Sequence, residues 1–141
     1  MKIIIDATDM VAGRLAAFAA KQALLGYEVS VINAEKAVIT GNRQSTLEYY
    51  QHKNTVVGVW SKGPFYFKVP DRFLRRLIRG MLPYKSPRGS AAYHRILCYK
   101  GAPTTLTGDI VTPPAKAQIA RSKSVNYITI QEICKHMGGK A

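Results

Sequence analysis

Four arginines lie close together in the segment DRFLRRLIRGMLPYKSPRG, residues 71–89; they are Arg72, Arg75, Arg76 and Arg79. A guanidinium group carries a permanent positive charge and a planar fork of N–H donors, so it binds phosphate oxygens well. At helical spacing the four side chains fall within roughly 100° of arc. No acidic residue follows any of them four positions later. Three interpretations compete: a phosphate-binding surface, a membrane-surface helix, and a solvated charged face, which the lack of mixed charge weakens.

The rest of the segment predicts the helix that would hold these arginines. Its apolar residues recur at helical spacing on the opposite side; they are Phe73, Leu74, Leu77, Ile78, Met81 and Leu82. Asp71 follows Pro70 and is expected to be the N-cap, and Pro83 is expected to end the helix. We therefore expect the apolar side to pack in a core and the four arginines to face outward together.

Aromatic and basic residues are interleaved on both sides of this helix. Before it come Trp60, Lys62, Phe65, Tyr66, Phe67 and Lys68. After it come Tyr84, Lys85, Arg88, Tyr93 and Arg95. Rings stack on unpaired bases and cations neutralise phosphates, so this mixture is typical of a nucleic-acid surface. Any single ring is better explained by packing of a loop on the core, whereas the cations taken together favour nucleic acid.

The distribution of charge along the chain supports a polyanionic partner. The 141 residues include 21 Lys and Arg against 8 Asp and Glu, a net charge of +13. Ten of these bases but only one acid, Asp71, fall within residues 60–100. Such a field concentrates polyanions at one region of the surface; nucleic acid is the commonest polyanion and an anionic membrane is the rival. The length predicts one domain with a substantial core.

A nucleotide site is one alternative, because the chain opens with a pattern typical of a strand, a helix and a second strand. If Gly13 were the last glycine of a dinucleotide-binding G-x-G-x-x-G motif, Thr8 and Met10 would replace the first two glycines. Glu35 could stand in for the ribose-binding acid, but without the glycines a pyrophosphate cannot approach the backbone. A nucleotide-binding α/β protein therefore stays only a minor alternative.

Catalytic and metal sites are weakly indicated. The histidines His52, His94 and His136 are scattered, and Cys98 and Cys134 lack the spacing of a zinc site or a disulfide framework. We expect no catalytic residue, no metal, no cofactor and no small-molecule substrate. The two cysteines are expected to be buried thiols in a reducing compartment.

A membrane-surface protein is the other alternative. The apolar side of the arginine helix spans only about three turns and has neighbouring elements to pack on, so it is expected to belong to the core. No stretch approaches the roughly 20 apolar residues of a membrane span, and the apolar run before Asp6 is too short for a signal sequence. We expect a cytoplasmic protein that does not bind membranes.

The remaining segments predict an α/β domain. Strands are expected at residues 2–6, 28–33, 95–100 and 124–130, and further helices at 11–25, 45–52, 91–95 and 131–139. The first strand, helix and second strand form a βαβ unit, so the two strands should be parallel with a right-handed crossover. We expect an extended loop at 54–70, a basic turn at 85–89 and a Pro- and Gly-rich excursion with little structure at 101–117.

Several stretches of the chain together resemble one protein family. The run KGPFYFKVPDRFLRRLIRGMLPYKSPRG (62–89), above all RGMLPYK followed by PRG, resembles the signature of the large-subunit ribosomal protein L-thirteen family. Four other stretches agree in order and spacing: IIIDATDMVAGRLAAFAAKQAL (3–24), VINAEKAVITGN (31–42), RILCYKGAP (95–103) and YITIQEICKHMGG (127–139). The resemblance covers nearly the whole chain, is vaguest at 104–123, and is strongest to the archaeal branch, with the eukaryotic branch next.

This resemblance implies a three-layer α/β/α domain, a single ribosomal RNA-binding domain over residues 1–141, with a mostly parallel sheet of about four strands in the order 3-2-1-4. It also implies a non-enzymatic constituent of the large ribosomal subunit, with large-subunit ribosomal RNA and neighbouring ribosomal proteins as partners. Carried over position by position, the RNA-binding residues are Arg14, Lys36, Arg43, Lys62, Phe65, Tyr66, Lys68, Arg72, Arg75, Arg76, Arg79, Tyr84, Lys85 and Arg88. The basic and aromatic pattern adds Arg95. Cys98 and the 101–120 loop depart from the family pattern, which leaves the protein neighbours of the C-terminal third open.

Overall fold

The computed structural model describes residues 1–106, 108–123 and 125–140. The strands described are β1 Lys2–Asp6, β2 Glu28–Ile32, β3 Val38–Thr40, β4 Ile96–Cys98, β5 Asp109–Ile110 and β6 Tyr127–Thr129. The α-helices described are α1 Ala12–Leu24, α2 Arg43–Thr55, α3 Pro70–Gly80, α4 Pro87–His94 and α5 Ile130–His136. Short 3₁₀ turns lie at Ala34–Lys36, Ala115–Ala117 and Ile119–Arg121.

The main sheet contains four parallel strands in the spatial order β4-β2-β1-β5. When only these four strands are numbered in chain order, their spatial order is 3-2-1-4. The expected α/β class, parallel sheet and strand order are therefore confirmed. Ile3 pairs with Val29, which pairs with Ile96, and Ile5 pairs with Val31. Because side chains alternate across a sheet, these five residues share one face, and all five are buried.

Helix α1 joins the core on that face through small side chains. Its inner side is made of Ala12, Leu15, Ala16, Ala19, Ala20 and Ala23, all nearly or fully buried. A methyl group at most of these positions lets the backbone approach its neighbours closely. The helix ends before Gly26, whose φ of +103° is a left-handed conformation that favours glycine. The predicted βαβ unit is therefore confirmed, with the helix one residue shorter than expected at each end.

The opposite face of the sheet carries Ile4, Ser30, Leu97 and Ile110 at paired positions. The connection from β4 to β5 reaches this face, since its Leu106 lines a cavity with Ser30 and Leu97. The described residues of that connection contain no helix, and Leu97 and Ile110 remain 45% and 76% exposed. Irregular chain of this connection therefore lies beside part of the opposite face, on which Ile4 is buried.

A second sheet lies outside the sequence-based prediction. In it β3 pairs with β6 in antiparallel orientation, with Ile39 opposite Ile128. β6 confirms the strand expected at 124–130 in a shorter form; residue 124 itself lies outside the described residues. Strands as short as β3 and β5 contain too few residues to show an alternating pattern, so their pairing depends on distant partners.

Helix α2 is longer than the helix expected at 45–52. It begins after Asn42, whose side chain accepts a hydrogen bond of 2.9 Å from the backbone N–H of Gln44. None of its described residues is fully buried, although Leu47 and Tyr50 pack partly on the core. A helix with so little apolar periodicity gives a weak sequence signal, which explains the underestimated length.

Helix α3 begins two residues earlier than expected. Val69 is its N-cap and Pro70 its first residue, so the prediction that Asp71 is the N-cap was wrong. Proline suits the first helical position because its φ is already helical. The lack of an N–H group costs nothing there, since an N–H at this position has no hydrogen-bond acceptor within the helix. Asp71 lies in the first turn, where the helix dipole still favours a negative charge.

The segment 85–89, expected to be a basic turn, contains the start of helix α4. Ser86 is the N-cap and accepts a hydrogen bond of 3.2 Å from the backbone N–H of Gly89. The helix includes most of the helical piece expected at 91–95 and is followed by β4, a shorter form of the strand expected at 95–100. Helix α5 confirms the closing helix. Within the described part of the chain, no helix is long and apolar enough to cross a membrane.

Candidate nucleic-acid interface

Helix α3 turns most of its predicted apolar side into the core. Phe73, Leu74, Ile78 and Leu82 are buried, and Leu77 packs partly against the same cluster. Met81, which was expected inside, is 45% exposed because α3 ends at Gly80 and Met81 begins the following turn. The orientation of the helix is therefore as predicted, with its arginines on the outer side.

Two arginines of α3 lie over rings that follow the helix in the chain. The guanidinium carbon of Arg75 is 4.5 Å from the ring centroid of Tyr93. That of Arg79 is 4.7 Å from the ring centroid of Tyr84. Both distances fall within the range of about 6 Å in which a cation is attracted to the face of a ring. These contacts hold two charges of α3 against a ring of α4 and a ring of the turn that precedes α4.

The other two arginines lie over rings that precede the helix. The guanidinium carbon of Arg76 is 5.4 Å from the ring centroid of Tyr66, and that of Arg72 is 5.8 Å from the ring centroid of Phe67. The arginines therefore do not extend freely into solvent, as the sequence alone suggested, but rest on rings. We call the whole set the arginine surface: Tyr66, Phe67, Arg72, Arg75, Arg76, Arg79, Tyr84 and Tyr93.

Hydrogen bonds hold two of these guanidinium groups more firmly. Arg75 donates through Nη2 to the carbonyl oxygen of Tyr93 at 3.5 Å, and Arg76 donates through Nη1 to the carbonyl oxygen of Phe65 at 3.2 Å. A guanidinium has five N–H donors, so each group keeps donors for another partner. The Nε atom of Arg75 is buried and has no hydrogen-bond partner among the described residues.

The positive charge of the arginine surface is not cancelled by ion pairs in the described structure. The ion pairs that the structure shows are Lys2 with Glu28, at 3.7 Å, and Arg43 with Glu132, at 3.4 Å. Neither pair includes an arginine of α3. Four guanidinium charges therefore lie on one side of one helix, supported by rings, in the arrangement that attracts phosphates.

The loop before α3 places further predicted residues beside the arginine surface. Residues 56–69 contain no helix or strand, apart from an isolated pairing of Val59 with Gly63, as expected for the 54–70 loop. Lys62 and Lys68 are exposed, and the ring of Phe65 is 66% exposed. Trp60 is 92% exposed, so this ring does not attach the loop to the core.

The turn between α3 and α4 is held in a compact shape. The hydroxyl and the backbone N–H of Ser86 both donate to the carbonyl oxygen of Pro83, at 2.8 and 2.9 Å. A Cβ added at Gly89 would lie only 2.0 Å from that same oxygen, so glycine is required for this approach. The predicted RNA-binding residues of this segment, Tyr84, Lys85 and Arg88, are all exposed on the turn or the first turn of α4.

The other predicted RNA-binding residues lie elsewhere on the molecule. Arg43 pairs with Glu132, and Arg95 donates at 3.2 Å to the carbonyl oxygen of Ala23, near the end of α1. Lys36 is exposed in the turn after β2. Arg14, in the first turn of α1, donates to the carbonyl oxygen of Lys116. The structure does not bring these four residues into the arginine surface.

The β1–α1 connection does not resemble a phosphate-binding turn. The carboxylate of Asp6 accepts hydrogen bonds from the backbone N–H and hydroxyl of Thr8, at 2.9 and 2.7 Å, and from the side-chain amide of Asn33 at 3.0 Å. Burial opposes ionisation, but these hydrogen bonds and the charge of Lys36 lower the pKa of Asp6 below its ordinary value. An ionised carboxylate at this position repels a pyrophosphate, which weakens the nucleotide alternative.

The cysteines and histidines do not form a metal site in the described residues, which contain no group of three metal-ligating side chains. Cys134 is buried as expected, whereas Cys98 is only partly buried. Burial raises the pKa of the Cys98 thiol to about 12, although the Arg75 charge opposes the shift, and burial raises that of Cys134 to about 12. Both thiols therefore stay protonated at neutral pH and are poor nucleophiles.

Comparison with known proteins adds an independent result. Residues 1–105 match the model of the family described as Ribosomal protein L13. The chain belongs to the ribosomal protein L13 family. This is the family that RGMLPYK and INAEKAVITG indicated, and the matched residues include the whole arginine surface. Proteins of the L13 family are structural components of the ribosome, not enzymes.

Similar proteins from archaea match nearly the full length of this L13 chain. The large ribosomal subunit protein uL13 of Methanosarcina barkeri is 44% identical over 138 residues, covering 97% of this chain and 98% of that protein. The protein of the same name from Methanocaldococcus jannaschii is 40% identical over 140 residues, with 97% and 98% covered. That from Methanococcus maripaludis is 37% identical over 141 residues, with 98% of each covered. The expected likeness to the archaeal branch is confirmed.

One group of basic residues escaped the sequence-based assignment of the interface. Lys116, Arg121 and Lys123 lie in the segment with the vaguest family resemblance, yet they line one groove with Arg14 and Lys21. The sequence did contain one indication of this groove. Residues 14, 17, 18 and 21 of helix α1 are spaced three and four positions apart, which places them on one face of the helix.

Proposed function

We propose that this chain is a structural constituent of the large ribosomal subunit and that it binds large-subunit ribosomal RNA through the arginine surface. The observation that carries the proposal is the arrangement of α3, in which each of four arginines lies over a ring and none has an ion-pair partner among the described residues. The relatives support the ribosomal role, since each is called a large ribosomal subunit protein.

The physical basis of this binding is neutralisation of phosphates by guanidinium groups that are already positioned. Each phosphate contact releases condensed counterions, and this release supplies most of the affinity. The rings restrict the arginine side chains before RNA arrives, so less conformational entropy is lost on binding. The shape of folded RNA and its 2′-hydroxyl groups then supply most of the selectivity.

The residues next to the arginine surface extend the proposed contact. The exposed cations of the preceding loop and of the following turn, Lys62, Lys68, Lys85 and Arg88, lie beside it in the chain. Phe65, Tyr66 and Tyr84 offer rings to unpaired bases. We propose smaller contributions from Arg43, which already pairs with Glu132, and from Arg95, which already binds the end of α1. Lys36 and Arg14 would contact RNA outside this surface.

We also propose that residues 1–141 act as one RNA-binding domain. A single buried cluster includes Ile3 and Ile5 of β1, Leu74 of α3, Ile96 of β4 and Ile133 of α5. A core shared by both ends of the chain supports a single folding unit. Such a unit would present the arginine surface as a rigid body to RNA, with other proteins of the large subunit as further neighbours.

Replacing Arg72 and Arg79 by Gln tests the proposed function. The control is Lys2→Gln with Lys135→Gln, which removes the same charge from exposed positions outside the arginine surface. Binding of each variant to large-subunit ribosomal RNA is measured over a series of salt concentrations, together with co-sedimentation with large subunits. If the wild type contacts six to ten phosphates, log K should fall against log salt with a slope on the order of −5 to −9.

The arginine variant should reduce the magnitude of that slope by about 2, and the control by much less. It should also dissociate from large subunits at a lower salt concentration than the control variant does. Equal losses in both variants would show that only the net charge matters and would contradict the assignment of the arginine surface. A wild-type chain that remains apart from large subunits at low salt would contradict the ribosomal role itself.

A further inference from the structure

Helix α1 has an exposed face on the side away from its buried alanines. Arg14, Ala17, Phe18 and Lys21 are spaced three and four residues apart, so they form one stripe along the helix. At 100° per residue this stripe lies roughly opposite the buried alanines of the same helix. The stripe forms one wall of an open groove of about 950 Å³, whose other wall is the segment from Pro114 to Lys123.

The groove is strongly basic. Lys116, Arg121 and Lys123 come from the second wall, and Arg14 and Lys21 from the first. All five cations are exposed. The side chains that line the groove include no acid among the described residues, and the described ion pairs involve none of these cations. The groove therefore carries five positive charges that attract an anionic ligand.

The two walls are joined before any ligand binds. The backbone N–H of Val11 donates to the carbonyl oxygen of Ala117 at 2.7 Å, and the guanidinium of Arg14 donates to the carbonyl oxygen of Lys116. Ala117 is buried in the main core. These contacts anchor the second wall beside the start of α1, so its cations are held opposite the helix and not on a detached tail.

The groove also offers an apolar surface between its cations. Phe18 is only half-buried and lines the groove with Ala17 and Pro114. Aromatic rings within a basic groove are the usual means of binding single-stranded nucleic acid, because a base stacks on the ring while cations follow the phosphates. An acidic protein segment would use the cations but would gain little from the ring, so these features favour RNA.

We propose that this groove, formed by Arg14, Phe18, Lys21, Lys116, Arg121 and Lys123, binds an unpaired RNA strand distinct from the RNA at the arginine surface. The choice of RNA as the polyanion rests on the proposed function. Because the groove lies on α1 and the arginine surface lies on α3, the protein contacts two separate RNA segments. It then joins two parts of the RNA in addition to binding one.

The first test compares two triple variants of the full chain. The groove variant is Lys116→Gln, Arg121→Gln and Lys123→Gln, and the control is Lys2→Gln, Lys100→Gln and Lys135→Gln, which removes the same charge from exposed positions outside the groove. The probe is a fluorescein-labelled oligouridylate of about 12 nucleotides, with poly-glutamate as a second, protein-like polyanion. Thermal melting of each variant verifies that the fold is retained.

The groove variant should reduce the magnitude of the slope of log K against log salt for oligouridylate by about 2. If the lines for the variant and the wild type meet near 1 M salt, this difference corresponds to roughly hundredfold weaker binding at about 0.1 M salt. The control should change affinity much less. Equal losses in the two variants would overturn the groove as a site. Equal affinity of the wild-type groove for poly-glutamate and for oligouridylate would overturn the assignment to RNA.

A second test separates the groove from the arginine surface inside assembled large subunits. The photoreactive residue p-benzoylphenylalanine is placed at Ala17 in the groove or at Tyr84 in the arginine surface. Both positions should cross-link to RNA, at two different segments. Cross-linking to RNA from position 84 but not from position 17 would overturn the groove proposal and leave the proposed function standing. Failure at both positions would overturn both.

Discussion

The guanidinium of Arg75 lies over the ring of Tyr93, 4.5 Å from its centroid, and also donates a hydrogen bond to the backbone carbonyl of that tyrosine. A single side chain of α3 thereby binds both the ring and the main chain of α4. Arg75 is half-buried, so its contacts with Tyr93 are better shielded from solvent than the ring contact of an exposed arginine would be. Among the four arginines of α3, Arg75 therefore combines a structural role with its proposed role in RNA binding.

Replacing Arg75 by Ala should lower the free energy of unfolding by about 1–2 kcal/mol, since it removes a partly desolvated cation–π contact and the packing of the arginine stem. Replacing the exposed Arg72 by Ala should cost less than about 0.5 kcal/mol. Urea unfolding followed by circular dichroism measures both. Equal costs at the two positions would show that the Arg75–Tyr93 contact adds no stability.

Gly89→Ala should destabilise the protein by about 1–3 kcal/mol, because its Cβ would overlap the carbonyl group of Pro83 and force the turn and α4 apart. The matched control is Gly80→Ala at the end of α3, where an added Cβ meets nothing within 4 Å. That change should stabilise the helix by about 0.5–1 kcal/mol. Thermal melting measures both variants, and a neutral effect at Gly89 would contradict the close approach.

Asp6→Asn should lower the melting temperature at neutral pH, because the folded protein favours the ionised carboxylate. The pKa of Asp6 is lowered: burial raises it, but hydrogen bonds from Asn33 and Thr8 and the charge of Lys36 outweigh that effect. This stabilisation is present above the unfolded-state pKa and is lost as pH falls through the lower folded-state pKa.

The difference in melting temperature between Asp6→Asn and wild type should therefore shrink in strongly acidic solution. Asp109→Asn is the control, because this acid is exposed on the short strand β5. Melting curves across the acidic range measure the effect. A difference that stays constant at every pH would show that the loss comes from changed hydrogen bonding alone and not from ionisation.

The two thiols should resist alkylation in the folded protein. Burial raises the pKa of Cys98 and of Cys134 to about 12, so few thiolates exist at about pH 8, where iodoacetamide normally reacts. Mass spectrometry should find both cysteines unmodified in the native chain and both alkylated after unfolding in guanidinium chloride. Rapid native modification of Cys98, which is the less buried of the two by exposed area, would show that the strand β4 opens readily.

The local pattern of the chain determined the elements that carry the most apolar periodicity. Strands β1 and β2 and helices α1 and α3 appear within a few residues of the expected positions, because each buries one continuous face that repeats at the period of its own backbone. The strand order 3-2-1-4, by contrast, followed from the resemblance to a family whose signature is RGMLPYK. Periodicity alone predicts that strands pair but does not show which edge a distant strand joins.

Only the tertiary structure decided which groups meet. The sequence predicted arginines on the outer side of α3 and rings nearby, but the pairing of Arg79 with Tyr84 or of Arg76 with Tyr66 depends on the paths of two loops. The groove depends on an even longer connection, since Arg14 and Lys116 are 102 positions apart in the chain. Residue types and spacing determine which chemistry a chain can perform and which faces of its helices are apolar. Contacts between distant segments decide where charges gather, because they arise from the packing of the whole core and not from any local repeat.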